Sequence, residues 1–210
     1  KTVTKPVFLL EKILSMAYSA DGQRMVFSGV REGHTDLYQY YVIGNRQEQL
    51  TDDLFDDLDP RFVDDGKGII FSSDRTDDTL RMEKDVTYHL ATKDIFIFDL
   101  ETRSPILQRM SRTPGYNETQ PAQYDSSSYT YLSDKGGLNN RWLVTYDSAV
   151  SGIDTTVHYR YFTSEARVTD LKRGIIEQEV NMQRGRYSQL MYVDGAYRFM
   201  FGTTTDGRTV

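Results

Sequence analysis

The sequence predicts an all-β fold, the β-propeller, in which four-stranded antiparallel sheets repeat along the chain as blades. Three observations predict it. A motif with an aromatic residue, an Asp-Gly turn, an apolar strand ending in Phe-Ser, and an Arg spans residues 18–31 and returns at residues 62–75. Tyr and Phe, which favour strands, supply most of the 12% aromatic content. No segment longer than about ten residues has a helical period.

The first predicted blade covers residues 13–58. A tight turn is expected at Asp21-Gly22, because Gly tolerates positive φ. The four short strands of this blade are predicted at residues 13–18, 24–29, 36–43 and 47–51. Four antiparallel strands in a stretch of this length match the size of one propeller blade.

Three further blades are predicted, the last of them partial, at residues 59–119, 120–175 and 176–210. The first strands of the partial blade are expected at 185–193 and 197–201. Residues 1–12, with the apolar run Val7-Phe8-Leu9-Leu10, are assigned to a strand of a preceding blade. A long polar connection is predicted at 147–156, before an outer strand at 157–163. Together these blades are expected to form an incomplete portion of a six- to eight-bladed ring.

Composition and charge exclude several classes of function. The formal net charge of −6 disfavours a nucleic-acid-binding surface and attraction to anionic lipid. The chain has no Cys, which excludes disulfides, thiol nucleophiles and Cys-ligated metal sites. No run approaches the roughly 18 apolar residues of a transmembrane helix. We therefore expect no nucleic-acid partner and no membrane insertion by this segment.

The repeated residues resemble the TolB-like propeller repeat. That repeat has an aromatic residue, Ser-Pro-Asp-Gly, an apolar-x-Phe segment with Ser, an Arg, Asp-apolar-Tyr, Leu-Thr, and Asp-x-x-Pro before the next blade. The corresponding residues here are Tyr18, Ser19-Ala20-Asp21-Gly22, Val26-Phe27-Ser28, Arg31, Asp36-Leu37-Tyr38, Leu50-Thr51 and Asp57-Leu58-Asp59-Pro60. The match covers residues 13–146, although Ala20 and Asp64 replace the usual Pro and the third blade lacks the turn Gly.

This resemblance implies a ring that docks or gates other proteins. Proteins with the repeat are typically six-bladed and bacterial, and many are exported to the Gram-negative envelope. The same blades precede the catalytic domain in prolyl-oligopeptidase-like and tricorn-like peptidases. The resemblance supplies no catalytic residue and implies structural roles at the repeat positions. Those positions are Asp21, Gly22, Phe27, Arg31, Asp36, Tyr38, Asp59, Pro60, Asp65, Gly66, Phe71, Arg75, Asp94 and Phe96.

No catalytic or cofactor-binding constellation is predicted. The three His residues are His34, His89 and His158, and none has a second His at metal-ligand spacing. The sequence contains no Gly-x-Ser-x-Gly nucleophile elbow and no Gly-rich phosphate loop. We therefore expect no catalytic residue and no cofactor in this chain.

An acidic stretch at residues 52–59 leaves two interpretations open. Clustered carboxylates can bind Ca²⁺ through about six to eight oxygen ligands. The stretch, however, does not match the Asp-x-Asp-x-Asp-Gly calcium loop and lies at the connection between two predicted blades. A solvated loop with turn-forming Asp residues is therefore favoured over a cation site.

One repeat position is basic and another is polar. The basic position is occupied by Arg31, Arg75 and Lys135, and the polar position is occupied by Asp36, Asp94 and Asn140. The cations could form a basic ring for an anionic group of a partner. An ion pair inside each blade between the two positions is favoured instead, because Arg suits bidentate carboxylate pairing. The Lys135/Asn140 combination cannot form that pair.

Function is expected where the repeats differ. The second blade has an insertion within residues 76–93, which maps to one face of a ring. The candidate partner-binding residues are Asp77, Asp78, Arg81, Lys84, His89 and Trp142. The chain is thus predicted to be a non-catalytic protein-binding scaffold of a bacterial cell-envelope assembly, periplasmic or outer-membrane-associated. Two alternatives remain, a gating propeller of a larger peptidase and a carbohydrate-binding propeller that uses Tyr residues and Trp142.

Overall fold

The computed structural model describes residues 4–80, 92–153, 155 and 157–204. These residues form β-strands, turns and two short 3₁₀ segments, Asp64–Gly66 and Met182–Arg184, and none of them lies in an α-helix. The predicted all-β fold is confirmed. Within the described ranges, no helix is long and apolar enough to cross a membrane.

The strands pair into four antiparallel sheets in chain order. Sheet 1 contains β1 (Lys12–Tyr18), β2 (Arg24–Arg31), β3 (His34–Tyr41) and β4 (Arg46–Gln49). Sheet 2 contains β5 (Asp57–Val63), β6 (Gly68–Ser73), β7 (Asp94–Asp99) and β8 (Gln108–Arg109). Sheet 3 contains β9 (Glu118–Gln123), β10 (Ser128–Ser133), β11 (Asn140–Ile153) and β12 (Val157–Arg167). Sheet 4 contains β13 (Ile175–Asn181), β14 (Arg186–Val193) and β15 (Ala196–Thr203).

Each sheet is a meander, because strands adjacent in sequence are also adjacent in the sheet. Tight turns make this possible: Gly22 has φ +67°, and the Asp21 carboxylate accepts hydrogen bonds from the Ser19 hydroxyl and the Gln23 backbone N–H. Repeated four-stranded meanders are the construction of propeller blades. The architecture is that of a partial propeller.

The chain divides into two compact units, residues 1–121 and 122–210, at a point inside β9. The first unit contains sheets 1 and 2, which pack face to face. Their shared core consists of Val26, Leu37, Ile69, Phe71, Phe96, Phe98 and Leu107. At the sheet edges the Arg24 guanidinium donates to the Gly66 carbonyl at 2.9 Å and lies 5.0 Å from the Phe62 ring centre. Alternating apolar side chains on β2, β3, β6 and β7 therefore bury one face of each sheet against the other.

The second unit contains most of sheet 3 and all of sheet 4. Its buried apolar side chains include Tyr131, Leu132, Val144, Ile175 and Met191. The Ile175 backbone N–H donates to the Asn139 carbonyl at 2.9 Å, which fixes the start of β13 beside the entry to β11. Each unit thus pairs two consecutive sheets.

The N-terminal strap, residues 4–10, is not a strand, so the assignment of residues 1–12 to a strand of a preceding blade is wrong for these residues. Residues 1–3 lie outside the described part. The Phe8 N–H donates to Gln47 Oε1 and Gln47 Nε2 donates to the Phe8 carbonyl, both at 3.0 Å. A side-chain amide, instead of a neighbouring strand, therefore satisfies the backbone N–H and carbonyl of Phe8. Leu10 packs against Phe27, Tyr38 and Tyr40 on the face of sheet 1 opposite the shared core.

Two strand assignments in the second unit also differ from prediction. The predicted polar connection at 147–156 is largely strand, because β11 continues to Ile153 and pairs with β12 from Val157. In sheet 4 the first strand is β13, so the segments predicted to be first are the second and third strands. Residues 147–149 are exposed, as is Val150. A segment in water on both faces has no hydrophobic alternation by which its sequence would indicate a strand.

Candidate functional site

A buried charge cluster lies where sheet 1 connects to sheet 2. Arg75 Nη2 donates to both carboxylate oxygens of Asp57, at 2.8 and 3.0 Å, and Nη1 donates to Asp53 Oδ2 at 3.1 Å. All three side chains are at most 1% exposed. Two residues of the acidic stretch are thus buried ion-pair partners, and the expectation of a solvated loop is wrong for Asp53 and Asp57. Asp52, which precedes Asp53, and Asp56, which precedes Asp57, are exposed as expected.

Burial and the neighbouring charges set the ionisation of this cluster. Burial raises the pKa of Asp57 to about 6, against the opposing effect of Arg75. Burial alone would lower the pKa of Arg75, but the charges of Asp57 and Asp53 raise it. The guanidinium also lies 5.5 to 5.8 Å from the ring centres of Phe55, Phe71 and Phe96. The cation is therefore enclosed by carboxylates and aromatic rings.

Asp36 lies next to this cluster and has an unusual environment. Its Oδ1 accepts hydrogen bonds from the Thr51 hydroxyl and the Asp53 N–H, both at 3.4 Å, and its Oδ2 accepts from Gln49 Nε2 at 3.2 Å. Burial, and then the charge of Asp57, raises the pKa of Asp36 to about 7. Near neutral pH this carboxyl is therefore only partly ionised.

The polar repeat position ties each blade to the loop after its outer strand. Asp36 accepts hydrogen bonds from the Thr51 hydroxyl and the Asp53 N–H. Asp94 accepts hydrogen bonds from the Thr113 N–H and from Arg109. Asn140 accepts hydrogen bonds from the Thr169 hydroxyl and the Leu171 N–H. The predicted ion pairs of this position with Arg31 and Arg75 are wrong. The Leu-Thr segment of the repeat approaches the polar side chain more closely than the basic position does, and Asn140 can make these contacts because they need only an acceptor.

The basic repeat position has a different environment in each blade. Arg75 is enclosed in the charge cluster. Arg31 is 42% exposed, and its one ion-pair partner among the described residues is the exposed Glu32, at 3.6 Å. The Lys135 ammonium lies 4.8 Å from the centre of the Trp142 ring. The position is therefore not used for one common purpose.

The predicted partner-binding residues are only partly described, since Arg81, Lys84 and His89 lie outside the described residues. Asp77 accepts hydrogen bonds from the Thr79 N–H at 2.7 Å and hydroxyl at 2.6 Å. Asp78 accepts from Arg109 at 3.1 Å. Both carboxylates thus make local contacts at the start of the insertion, where Thr79 also bridges to Ile106.

Trp142 is half-buried in β11, its indole N–H has no hydrogen-bond partner, and Lys135 covers one ring face. An aromatic platform for a sugar or a peptide needs an open ring face. Lys135 thus leaves at most one ring face for a ligand, and the role of Trp142 in partner binding stays a prediction.

No group of three or more His, Asp or Glu side chains in the described part of the chain is arranged to hold a metal ion. In the acidic stretch, the Asp53 and Asp57 oxygens are directed at Arg75. The Ca²⁺ hypothesis remains a prediction without a ligand set among these residues.

The second unit contains a buried cation that the sequence did not indicate. Arg141 is fully buried, donates to Gln178 Oε1 at 2.9 Å and Gln189 Oε1 at 3.0 Å, and lies 3.9 Å from the Tyr187 ring centre. Burial lowers the pKa of Arg141. Arg141 directly follows the repeat's polar position, where the other blades have Leu37 and Ile95, so the replacement of an apolar residue by Arg was the one available signal.

The ribbon is the two-stranded extension of sheet 3, residues 146–153 of β11 and 157–163 of β12. β10 pairs with β11 only as far as Thr145, so beyond that point β12 is the one partner of β11 among the described residues. The Tyr146 and Tyr161 rings stack with centres 5.6 Å apart, and Tyr161 remains 60% exposed. Val150 and Phe162 are also exposed. The ribbon presents apolar side chains on a two-stranded extension, which the other three sheets lack in the described part of the chain.

A cleft of about 310 Å³ lies on sheet 1 beneath the N-terminal strap. It is lined by Phe8, Leu9, Arg31, Tyr38, Gln47 and Gln49. The Tyr38 hydroxyl is buried and makes no hydrogen bond to the part of the chain that the structure describes. Leu9 is 76% exposed and has φ +60°, a conformation that is strained for a branched apolar residue. The repeat places Arg31 and Tyr38 at its basic and aromatic positions, but it does not indicate the cleft, because strap residues complete it.

Comparison with known proteins supports the architecture. No family model matches the sequence, and no curated protein matches it. Among solved structures, TolB from Acinetobacter baumannii has a TM-score of 0.63 at 17% identity, over 92% of this chain and 41% of that one. A structure assigned to TolB of Agrobacterium tumefaciens has a TM-score of 0.69 at 16% identity, over 97% and 66%. A puromycin hydrolase has a TM-score of 0.60 at 13% identity, over 95% and 28%.

The sheets and these similarities define the class of protein: the chain is built of β-propeller blades. Its fold is that of a TolB-like β-propeller, as the repeat predicted. Identities of this size support the fold alone. The chain spans less than two thirds of the length of each of these solved structures.

Proposed function

We propose that this chain is a non-catalytic, protein-binding propeller segment of a bacterial cell-envelope assembly, periplasmic or outer-membrane-associated. The ribbon is the observation that carries the proposal. It extends past a regular blade and exposes Val150, Tyr161 and Phe162 to solvent. Exposed aromatic and aliphatic side chains on a strand pair are typical anchors of protein interfaces.

The polar groups at the repeat positions support a scaffold role. Two ion pairs join Arg75 to Asp53 and Asp57. Hydrogen bonds from the loops of their own blades are accepted by Asp36, Asp94 and Asn140. Groups held in this way stabilise blades and are not placed to take part in a reaction. The envelope location follows from the resemblance of the repeat to that of exported TolB-like proteins.

The test is partner capture by the full-length protein in its bacterial host. The tagged protein is cross-linked in intact cells, purified, and its partners are quantified by mass spectrometry. The wild type is expected to retain a defined envelope partner. The ribbon variant Val150→Ser/Tyr161→Ser is expected to retain about tenfold less, since losing an aromatic anchor removes about 1.4 kcal/mol or more of binding free energy.

Ile43→Ser is the matched control, because Ile43 is an exposed apolar side chain in the turn between β3 and β4. The control is expected to capture the partner like the wild type, and all variants should keep the wild-type unfolding midpoint. Equal capture by the ribbon variant contradicts the role of the ribbon. Failure of the wild type to retain any envelope protein contradicts the scaffold proposal.

A gating propeller of a larger peptidase is the second candidate, favoured by the similarity to the puromycin hydrolase structure. Hydrolysis of fluorogenic peptides by the full-length protein, abolished by a fluorophosphonate that acylates active-site Ser, would favour it. The scaffold proposal predicts no such hydrolysis.

A further inference from the structure

Arg31, at the mouth of the cleft on sheet 1, lacks the carboxylates that its repeat equivalent has. The two sheets follow the same register: Ile13 pairs with Gly29 in sheet 1, and Asp57 pairs with Ser73 in sheet 2. Equivalent residues of the two sheets are therefore 44 positions apart. At this offset Arg31 corresponds to Arg75.

The same offset identifies the missing partners. Arg75 pairs with Asp53 and Asp57, and the corresponding residues of sheet 1 are Leu9 and Ile13. Both carboxylates are thus replaced by apolar side chains, and Leu9 itself lines the cleft with Arg31. Arg31 therefore faces an apolar wall where Arg75 faces two anions.

The remaining charges near Arg31 leave its guanidinium weakly paired. Glu32 Oε1 lies 3.6 Å from the Nε atom, and the Glu32 side chain is 80% exposed. Asp36 is held by Thr51, Gln49 and the Asp53 N–H, and burial raises its pKa to about 7. Two Nη groups of Arg31 make no hydrogen bond to any described residue, which leaves the bidentate face open for a carboxylate.

Tyr38 forms part of the cleft wall. It occupies the position of Phe96, whose ring lies beside Arg75 in sheet 2. The Tyr38 hydroxyl oxygen is buried away from solvent, so the ring and not the oxygen contributes to the lining of the cleft. Burial raises the pKa of Tyr38 to about 12, so the phenol carries no charge at neutral pH.

The other side chains that line the cleft determine which kind of ligand body can accompany the carboxylate. Phe8 and Leu9 are exposed apolar side chains, and Gln47 is already bonded to the Phe8 backbone. The cleft volume of about 310 Å³ is at the lower end of the range for small-molecule pockets. The geometry points to a binding site for a small carboxylate with an aromatic or branched apolar body, its carboxylate on Arg31 and its body against Phe8 and Leu9. This site is independent of protein capture by the ribbon.

The probe is 3-phenylpropionate, with 3-phenylpropionamide and acetate as matched ligands, titrated into the full-length protein by calorimetry and by NMR. Saturable binding of 3-phenylpropionate is expected, with a dissociation constant on the order of 1 mM or below. The amide is expected to bind at least about tenfold more weakly, because it lacks the charge, and acetate similarly, because it lacks the body.

Variants separate the site from general effects. Arg31→Gln is expected to weaken binding about tenfold or more. Tyr38→Phe should leave binding unchanged, because the Tyr38 hydroxyl is buried away from the cleft. Glu32→Gln should strengthen binding, since Glu32 competes for the guanidinium. Arg46→Gln is the matched control, an exposed Arg on the same sheet that does not line the cleft. Unchanged unfolding midpoints for Arg31→Gln and Glu32→Gln show that these effects are local.

The proposal would be overturned by the absence of saturable binding by the wild type, by equal affinity for the acid and the amide, or by binding that Arg31→Gln leaves unchanged. Binding of acetate as tight as that of 3-phenylpropionate would also overturn it, since the apolar walls would then contribute nothing.

Discussion

Arg75 and Arg31 occupy the same repeat position on neighbouring sheets and have opposite environments. Arg75 is completely buried with two carboxylates and three aromatic rings around it. Arg31 is half-exposed at a cleft, with one distant carboxylate. The difference arises from two substitutions on the preceding segment, Leu9 for Asp53 and Ile13 for Asp57. In a repeat protein, the role of a residue that recurs at one repeat position thus depends on the segment that packs on it.

The comparison also shows what a buried ion pair requires. Removing charges from water costs several kcal/mol, and close pairing with hydrogen bonds is needed to offset it. Sheet 2 meets that condition with a bidentate contact to Asp57 and a second contact to Asp53. Arg31 in sheet 1 does not need such pairing, because it remains in contact with water. The two arrangements predict very different responses to the same mutation.

The largest effect is expected for Arg75→Leu, which leaves Asp53 and Asp57 buried without a cation. The free energy of unfolding should fall by about 3–5 kcal/mol, measured by chemical denaturation at pH 7. Arg31→Leu is the matched substitution and should change it by no more than about 0.5 kcal/mol. Equal losses at the two positions would contradict the assignment of different roles.

The triple variant Asp53→Leu/Asp57→Ile/Arg75→Met sharpens this comparison, because it gives sheet 2 the apolar residues of sheet 1. It should recover most of the stability lost in Arg75→Leu, since no buried charge is left unpaired. A triple variant as unstable as the single one would show that the deficit comes from packing instead of charge.

A smaller effect is expected from pH, through Asp36. Its pKa is raised from 3.8 to about 7 on folding, so between these values the folded state binds more protons than the unfolded state. The free energy of unfolding should therefore decrease as pH rises from about 4 to 7, by at most about 4 kcal/mol. Asp57, raised to about 6, acts in the same direction. Thermal unfolding across this range measures the slope.

Asp36→Asn isolates the contribution of Asp36. Asn140 makes the equivalent contacts in sheet 3, so the amide should be accepted. The variant should be less sensitive to pH and more stable than the wild type at pH 8. A wild-type stability that is flat or rises between pH 4 and 7 would contradict the raised pKa.

The smallest effect is expected for Leu9→Asp, which restores to sheet 1 the carboxylate of Asp53. A partly exposed pair with Arg31 should raise the free energy of unfolding by about 0.5 kcal/mol, an increment that high salt removes. Asp also tolerates the positive φ of residue 9 better than Leu. Leu9→Asn separates this backbone effect, since it lacks the charge. Loss of stability in Leu9→Asp at low salt would contradict the equivalence of the two positions.

Much of the fold could be predicted because it is encoded locally. Asp21-Gly22 forms the expected turn, and the strands around Phe27, Phe71 and Phe96 lie in the core as their alternation indicated. The ribbon escaped prediction for a physical reason. Its residues 147–150 are exposed on both faces of the strand, so no burial pattern marks them, and residues 147–156 read as a loop.

The candidate site was less predictable than the fold. Asp53 and Asp57 were expected in water, because Asp is usually exposed and favours loops. Their burial depends on Arg75, which is distant in sequence, and Arg31 was not expected to differ from it. The strap at Phe8 and Leu9, which completes the cleft, resembled a strand in its apolar composition alone.

The sequence by itself determined the repeat, the turns, the strand alternation and the absence of Cys chemistry, because each depends on a residue and its near neighbours. Only the tertiary structure decided which charges are buried together, which Arg faces solvent, and where a two-stranded ribbon leaves its sheet. Those outcomes depend on contacts between segments that are far apart in the chain. Desolvation and pairing, which set the ionisation of Asp36 and Asp57, exist only after those segments have met.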